Sequence, residues 1–235
     1  MKGIKLLAAT AAITVSSVAV AGPNYTYAQL GFFTEDSVGK EDTGGFELKG
    51  SFGFADLFHV GAAIDSGEKD GGKSKYDGAL KEEDWGAADT DGFEIYAGVN
   101  PAITDNIDAI VRVGYGEFEN KGKRGGFPLE PIVVDAKTER DFLFLQFGTR
   151  ALITEKFELN AFATYSAGNI KQKRSGQSAF TGKQDFVEWS YEVGGIYNFT
   201  DMFAAGVSLE MGAPDEDSLG QTTTNVGTIF ARVNF

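Results

Sequence analysis

The chain has 235 residues, enough for one large domain or two ordinary ones, with 34 acidic against 21 basic side chains and no cysteine. Its formal net charge of −13 argues against nucleic-acid binding, because neutralising phosphates requires a basic face. The absence of cysteine excludes disulfides, thiolate metal sites, cysteine nucleophiles and a lipidated N-terminal cysteine.

The first 21 residues have the pattern of a secretory signal peptide. Met1–Lys5 is short and basic, Leu6–Val18 is uncharged and largely apolar, and Ala19–Ala21 has small residues at both ends, as a cleavage site does. A transmembrane helix needs about 20 apolar residues, and this run is shorter. We therefore predict a signal peptide over residues 1–21 and a mature chain over residues 22–235, with no later segment that could span a membrane as a helix.

Apolar residues recur at every second position in ten segments from Asn24 onward. This period predicts β-strands with one apolar and one polar face, as in Arg140–Ala151, where Leu143, Leu145 and Phe147 share a face. The predicted strands are Asn24–Phe33, Phe46–Gly53, Phe58–Asp65, Phe93–Val99, Asp108–Gly116, Arg140–Ala151, Phe157–Ser166, Phe186–Asn198, Phe203–Met211 and Thr224–Phe235.

Short and long connections alternate between these strands. Four are short turns that share an aromatic or Ile, a small residue, an acid and an apolar strand start: Ala55–Leu57, Asn100–Ile107, Thr154–Lys156 and Thr200–Met202. Five are long and polar: Thr34–Gly45, Ser66–Gly92, Glu117–Glu139, Gly168–Asp185 and Gly212–Thr223. Short turns at one end and long loops at the other are typical of the periplasmic and extracellular ends of an outer-membrane barrel.

A soluble β-barrel or sandwich has the same period, with its apolar face turned inward. Three features favour the membrane barrel: polar rows too mixed for a solvated outer face, an aromatic residue at the uncovered C-terminus, and aromatics at the strand ends. The strand-end aromatics are Tyr25, Phe58, Phe157, Tyr197, Phe203 and Phe235 at the short-turn end, and Phe32, Phe46, Tyr115, Tyr165 and Trp189 at the other.

Two stretches resemble a known family. Ile103–Gly116 looks like the turn-and-strand unit of OmpA-like and opacity-type small outer-membrane barrels, and Val193–Asp201 is similar to the same unit. The terminal Phe235, with apolar residues at alternate positions before it, resembles the signal read by the barrel-assembly machinery. The resemblance implies a monomeric, all-β, antiparallel up-and-down transmembrane barrel in the bacterial outer membrane, exported through the periplasm. We count ten strands; eight, the usual number in this family, is the alternative.

The polar rows then line the inside of the barrel. Because buried charges must be paired or hydrated, we predict a lumen filled by side chains and ion pairs, with a narrow, weakly cation-selective channel as the alternative. The predicted lumen charge network is Glu47, Lys49, Glu94, Asp108, Arg112, Arg150, Glu158, Glu188, Glu192, Glu210 and Arg232, and the lumen rows also contain Asp65 and Arg140.

No residue pattern indicates an enzyme, a cofactor site or a metal site. His59, the only histidine, follows a short turn and so lies far from extracellular substrates. We predict a structural or surface-interaction role, such as adhesion or contact with lipopolysaccharide. The basic clusters in two loops suit lipopolysaccharide phosphates, with simple solubility of the loops as the alternative: Lys121, Lys123, Arg124, Lys171, Lys173 and Arg174.

Overall fold

A computed structural model describes residues 25–37, 43–69, 73–74, 83–124, 134–175, 180–214 and 224–235. The predicted signal peptide and much of the long loops lie outside the described residues. The described part of the chain forms ten long strands: β1 (Tyr27–Ser37), β2 (Thr43–Phe54), β3 (Phe58–Lys69), β4 (Glu83–Val99), β5 (Ile107–Arg124), β6 (Val134–Leu152), β7 (Phe157–Arg174), β8 (Phe180–Asn198), β9 (Phe203–Pro214) and β10 (Thr224–Asn234). Two short strand segments, Lys73–Ser74 and Ala102–Thr104, pair with β4 and β5.

The ten strands close into an antiparallel barrel. Each strand pairs with its neighbours in sequence, and β1 pairs with both β2 and β10, so the described sheet has no open side among these ten strands. The prediction of ten strands is therefore confirmed, and the alternative of eight is excluded. Among the described residues no helix has the length and apolar character needed to cross a membrane.

The strand register fixes the dimensions of the barrel. Thr224 on β10 pairs with Ser37 on β1. In the other direction, the row of paired residues that starts at Thr224 passes from β9 to β2, one residue on each strand, and ends at Gly53. Continuing the β1–β2 register places Gly53 opposite Tyr25, which is 12 residues from Ser37. A shear of 12 over ten strands, at the usual strand spacing, gives a strand tilt of about 40° and a backbone radius of about 10 Å.

The alternation of side chains gives the barrel an apolar exterior. Leu143 is 64% exposed, whereas its neighbour Phe142 is 6% exposed, because successive side chains point to opposite faces of the sheet. Leu145 and Phe147 are exposed like Leu143, as predicted. Tyr25 was predicted to belong to the outer aromatic girdle, but it is 8% exposed and packs in the lumen with Ile110, so that prediction is wrong.

Threonine side chains hold the short turns between strands. The hydroxyl of Thr154 accepts a hydrogen bond from the backbone N–H of Phe157 (3.0 Å), and Thr200 does the same for Phe203 (2.9 Å). A hydroxyl that accepts from a nearby backbone N–H stabilises a tight turn, which explains why threonine recurs in the turn motif.

Strands β4–β8 are longer than the other five. They have 17 to 19 residues, whereas β1–β3, β9 and β10 have 11 or 12 in the described chain. The prediction placed much of these extensions in loops, because the apolar alternation stops near Gly116 and Arg140. Backbone pairing continues beyond that point, and five neighbouring strands therefore project from one side of the barrel at the long-loop end.

Candidate functional site

The lumen at the short-turn end contains a buried polar network. The guanidinium of Arg150 donates two hydrogen bonds to the carboxylate of Glu158 (2.9 and 2.7 Å), a bidentate pair whose side chains are 5% and 4% exposed. Arg232 lies 3.9 Å from the same carboxylate and donates to Gln29 Oε1 at 2.9 Å. Charges buried this deeply are tolerated because they are paired and hydrogen-bonded.

Tyr25 joins this network across the barrel. Its hydroxyl donates to Asp108 at 2.9 Å, so that β1 is tied to β5 through the lumen. The guanidinium of Arg150 lies 4.6 Å above the Tyr25 ring, and that of Arg232 lies 4.1 Å above Tyr27. Each cation is thus held by an aromatic face as well as by an acceptor, which fixes its position in the lumen.

A second network surrounds His59, which is 0% exposed. Arg112 Nε donates to His59 Nε2 at 2.9 Å, so Nδ1 carries the proton and donates to Asn100 Oδ1 at 3.1 Å. Asn100 also donates to the backbone carbonyl of Asp56, in a turn where Ala55 and Asp56 have positive φ values of 51° and 57°. Asn100 therefore ties His59 to a turn whose backbone conformation is unusual for residues other than glycine.

The contacts of Arg112 extend the buried network toward the middle of the lumen. Its guanidinium donates to Gln146 Oε1 (2.8 Å), and Gln146 in turn donates to Thr164 Oγ1 (2.9 Å). The guanidinium also lies between the rings of Tyr96 (4.8 Å) and Phe162 (4.9 Å). Together with the Arg150–Glu158 network, these contacts form what we call the lumen floor.

Carboxylates collect around one lysine above the lumen floor. Lys49 Nζ lies 3.0 Å from the carboxylate of Glu47. Lys49 also interacts electrostatically with Glu94, Glu192 and Glu210, whose side chains are half-buried. In the described residues no group of three histidine, aspartate or glutamate side chains is arranged to hold a metal ion. The middle of the lumen is thus an acidic region that solvent reaches in part.

An aromatic cluster covers one wall of the upper lumen. Tyr96, Phe142, Phe144 and Phe186 are buried together, with Phe118 and Ile170 packed against them. The guanidinium of Arg140 lies 3.9 Å above the ring of Phe186 and pairs with Glu188. This cluster lies on β4–β8, where the five long strands leave the barrel.

The outer face of the same strands has a ladder of charged side chains just above the last apolar row (Tyr115, Leu143, Ala167 and Val187). The structure pairs these groups within and across strands: Glu119 with Lys121 and Lys137, Glu139 with Lys137 and Lys173, and Asp141 with Lys171. Hydrogen bonds from Lys121 and Lys137 hold the pKa of Glu119 below its ordinary value, and those from Lys137 and Lys173 do the same for Glu139.

The register puts all predicted members of the lumen charge network on the inner face, in three groups. Asp108, Arg112, Arg150, Glu158 and Arg232 lie in the lumen floor. The acidic region contains Glu47, Lys49, Glu94, Glu192 and Glu210, and Glu188 pairs with Arg140 near the aromatic cluster. Of the predicted lipopolysaccharide-contacting residues, Lys121, Lys171 and Lys173 belong to the outer ladder. The side chains of Lys123, Arg124 and Arg174 lie outside the described residues.

Sequence reasoning missed the uncharged members of the lumen. Gln29 accepts hydrogen bonds from Arg232, and Asn100 accepts one from His59. Phe142 and Phe144 fill the inner face of the strand whose outer face contains Leu143 and Leu145. A strand in which both rows are apolar, such as Asp141–Phe147, is the one available signal, because it indicates a lumen wall that is itself aromatic. The outer ladder lysine Lys137 was also missed, because it lies in a segment predicted to be a loop.

Residues 6–181 match the family model described as outer membrane protein beta-barrel domain. The fold is similar to that of the outer membrane protease OmpT from Escherichia coli (TM-score 0.55, 13% identity, 95% of this chain and 100% of that chain). It is also similar to the translocator domain of the autotransporter NalP from Neisseria meningitidis (TM-score 0.53, 10% identity, 98% and 94%). Ail, the attachment invasion locus protein of Yersinia pestis, is more distant (TM-score 0.42, 13% identity, 91% and 100%). No curated protein matches the sequence.

Proposed function

The chain belongs to the outer membrane protein beta-barrel domain family, which places it in the bacterial outer membrane, and on that premise we propose a non-conducting, non-enzymatic barrel with a structural or surface-interaction role. Solved structures of similar fold include a protease and a translocator domain, so the role of this chain must be argued from its own residues. By the usual topology of such barrels, the short turns are periplasmic and the long loops extracellular.

The lumen floor supports the non-conducting role. Its charged side chains are almost fully buried, except for the partly buried Arg112. Each arginine contacts both an acceptor and an aromatic ring. A barrel with a backbone radius of about 10 Å has little room beyond these side chains. An ion crossing from the acidic region to the periplasm would have to separate a bidentate ion pair in a dry environment, which is costly.

Planar-bilayer recording on the refolded protein tests this role. We expect no stable single-channel steps from the intact barrel. A variant with the floor opened, Arg150→Ala with Glu158→Ala, serves as the positive control, because it removes the pair that closes the periplasmic end. Stable steps from the unmodified protein would refute the non-conducting role.

A narrow cation-selective channel is the second candidate. The observation that favours it is the excess of acids around Lys49, which would concentrate cations in the middle of the lumen. In the same recordings, this candidate predicts single-channel steps whose reversal potential shows cation selectivity. A change in their conductance in Glu210→Gln would support it over the closed barrel.

The outer ladder supports contact with lipopolysaccharide. Its lysines lie at the level where the apolar exterior ends, which is the level of the phosphates of the outer leaflet. We expect the double variant Lys171→Ala with Lys173→Ala to bind less lipid A than the unmodified barrel, measured as the lipid A that sediments together with vesicles containing each protein. Lys156→Ala, in an exposed periplasmic turn, is the matched control and should leave binding unchanged. Equal binding by all three proteins would contradict the proposal.

The surroundings of His59 support a non-enzymatic role. Both ring nitrogens are engaged, and the ring is buried near the periplasmic end between Tyr25 and Tyr96. It therefore has no access to peptide or lipid substrates at the cell surface. A change in the mass of lipid A, or cleavage of added peptides, on expression of the protein but not of an empty vector would contradict this role.

Phe235 supports recognition by the barrel-assembly machinery. Its backbone N–H donates to Thr26 at 3.0 Å, so it ends the strand that closes the barrel. We expect Phe235→Ala to slow insertion of the barrel, measured in cells by the heat-modifiable band on gels. Phe199→Ala, an exposed aromatic in a turn at the same end, is the control. Equal insertion of both variants would show that Phe235 is not the signal.

We propose that the inserted barrel is a monomer.

A further inference from the structure

Strands β4–β8 continue beyond the membrane and form a sheet at the extracellular end, joined on one side to β3, whose residues 65–69 pair with residues 88–92. We call residues 88–92, 116–122, 135–142, 168–173 and 181–186 the projecting wall. Its outer face continues the exterior of the barrel, and its inner face looks over the mouth of the lumen. Both faces rise above the last apolar row and are bordered by solvent.

The two faces of the projecting wall differ sharply in charge. The outer face is made almost entirely of ionised groups: Asp89, Asp91, Glu117, Glu119, Lys121, Asp135, Lys137, Glu139, Asp141, Lys171, Lys173, Lys183 and Asp185. Among the described residues of the wall's own inner face, Arg140 alone is charged, and it pairs with Glu188 just below. The carboxylate of Asp65, on the neighbouring strand β3, lies beside this face against Gly92. A solvated sheet face with no ligand has no reason to exclude charge, and the outer face of these same strands does not exclude it.

The inner face instead combines amides and hydroxyls with an aromatic base. Asn120, Gln172 and Gln184 are exposed, and Thr138 and Thr90 lie in the same rows. Amides and hydroxyls both donate and accept hydrogen bonds, as sugar hydroxyls do. The Thr90 hydroxyl donates to Asn120 Oδ1, which sets the orientation of that amide.

The aromatic base lies directly below these polar groups. The rings of Phe118 and Phe142 are parallel, with centroids 5.7 Å apart, and Phe186 packs edge-on against Phe142. Arg140 lies over Phe186, and its buried Nε has no hydrogen-bond partner in the described structure. A donor beside an aromatic ring suits a ligand that has an apolar ring face and hydroxyl groups at its edge.

We propose that the inner face of the projecting wall binds an uncharged oligosaccharide presented from outside the cell. Five strands at the usual spacing give the face a width of about 19 Å, enough for several linked sugar rings. The lipopolysaccharide around the barrel is not the ligand, because its phosphates match the lysines of the outer face, and the inner face is turned toward the barrel axis. The inference rests on the extracellular orientation in the proposed function.

Binding of the full-length barrel, held in lipid nanodiscs, to an oligosaccharide array tests the proposal. The array contains neutral hexose and N-acetylhexosamine oligosaccharides, sulfated and sialylated oligosaccharides, and a lipopolysaccharide core oligosaccharide. We expect retention on neutral members. The inner double variant Asn120→Ala with Gln172→Ala should weaken it at least about tenfold, since each substitution removes hydrogen bonds worth about 1 kcal/mol.

The outer face provides a matched control on the same two strands. Lys121→Ala with Lys173→Ala changes residues adjacent to those of the inner double variant, and it should leave retention within about twofold. All four positions are exposed or at the wall's edge, and the heat-modifiable gel shift confirms that each variant has folded.

Any one of three results would overturn the proposal: no retention of any neutral oligosaccharide, an equal loss of retention in both double variants, or binding confined to anionic or lipopolysaccharide-core sugars. Ion-conducting steps in the bilayer experiment would refute the non-conducting barrel while leaving the pattern of glycan retention unchanged. The two failures are therefore distinguishable.

Discussion

Neutralising Glu158 should destabilise the barrel far more than neutralising another lumen acid. Glu158 accepts both hydrogen bonds from Arg150 and lies 3.9 Å from Arg232, so Glu158→Gln removes the carboxylate that these two buried guanidinium groups share. Breaking a buried ion pair in this way costs about 3–5 kcal/mol, or roughly a 10²- to 10⁴-fold shift in the folding equilibrium.

Glu210→Gln is the matched control. It makes the same chemical change in the same lumen, but Glu210 lies among other carboxylates, so its neutralisation removes repulsion and leaves no arginine unpaired. We expect its effect on stability to be within about 0.5 kcal/mol of zero or to be stabilising.

Reversible unfolding of the barrel in lipid vesicles with guanidinium chloride, followed by tryptophan fluorescence, measures both effects. A third protein, Arg150→Met with Glu158→Leu, replaces the ion pair with apolar side chains of similar size. Its stability should recover most of the loss, because Arg150 is removed together with its counter-charge and Arg232 keeps its hydrogen bond to Gln29. Equal stability of Glu158→Gln and Glu210→Gln, or a double variant as unstable as the sum of its parts, would refute the reasoning.

Two further changes test the packing and the electrostatics. Gly61→Ala would place a Cβ against the ring of Tyr96 and 2.7 Å from the carbonyl oxygen of Gly50, so we expect thermal unfolding to show a loss of stability of about 1–3 kcal/mol. Gly50→Ala, whose added Cβ would have its nearest atom 3.8 Å away, should cost far less. Similar losses in the two variants would contradict the close packing at Gly61. The depressed pKa values of Glu119 and Glu139 predict that the outer ladder is intact above the unfolded carboxyl pKa of about 4.3 and is lost as pH falls through the lower folded values. Carboxyl NMR titration checks this, and midpoints at or above the unfolded value would contradict it.

The sequence predicted the barrel because lipid imposes one rule on every strand. Each outward position that faces hydrocarbon must be apolar, so the period of 2 persists across all ten strands and marks them clearly. The rule ends where the lipid ends. In residues 117–122 and 135–139 both faces are in water, and polar residues there are typical of strands and loops alike, so the projecting wall was predicted as loop.

The contacts inside the lumen were harder to predict. Tyr25 meets Asp108 across the barrel, 83 positions away in sequence, and that meeting depends on the shear of the closed sheet. Alternation reports which face a side chain is on, but not which strand it meets across the lumen. For the same reason the sequence indicates the face on which each charged residue lies, but it gave no information on how Arg150, Glu158 and Arg232 combine.

Sided thiol labelling tests the central claim most directly, because the chain has no native cysteine. In this account the apolar outer surface of the barrel faces lipid. The lumen is open to the outside at its acidic region and is closed at its periplasmic floor. We expect a membrane-impermeant maleimide added outside intact cells to label Ser190→Cys, beside Glu210 in the acidic region. It should not label Leu145→Cys on the exterior or Ala204→Cys, which pairs with Arg232 of the floor and is 4% exposed. Rapid labelling of Ala204→Cys or Leu145→Cys by that reagent would contradict the account.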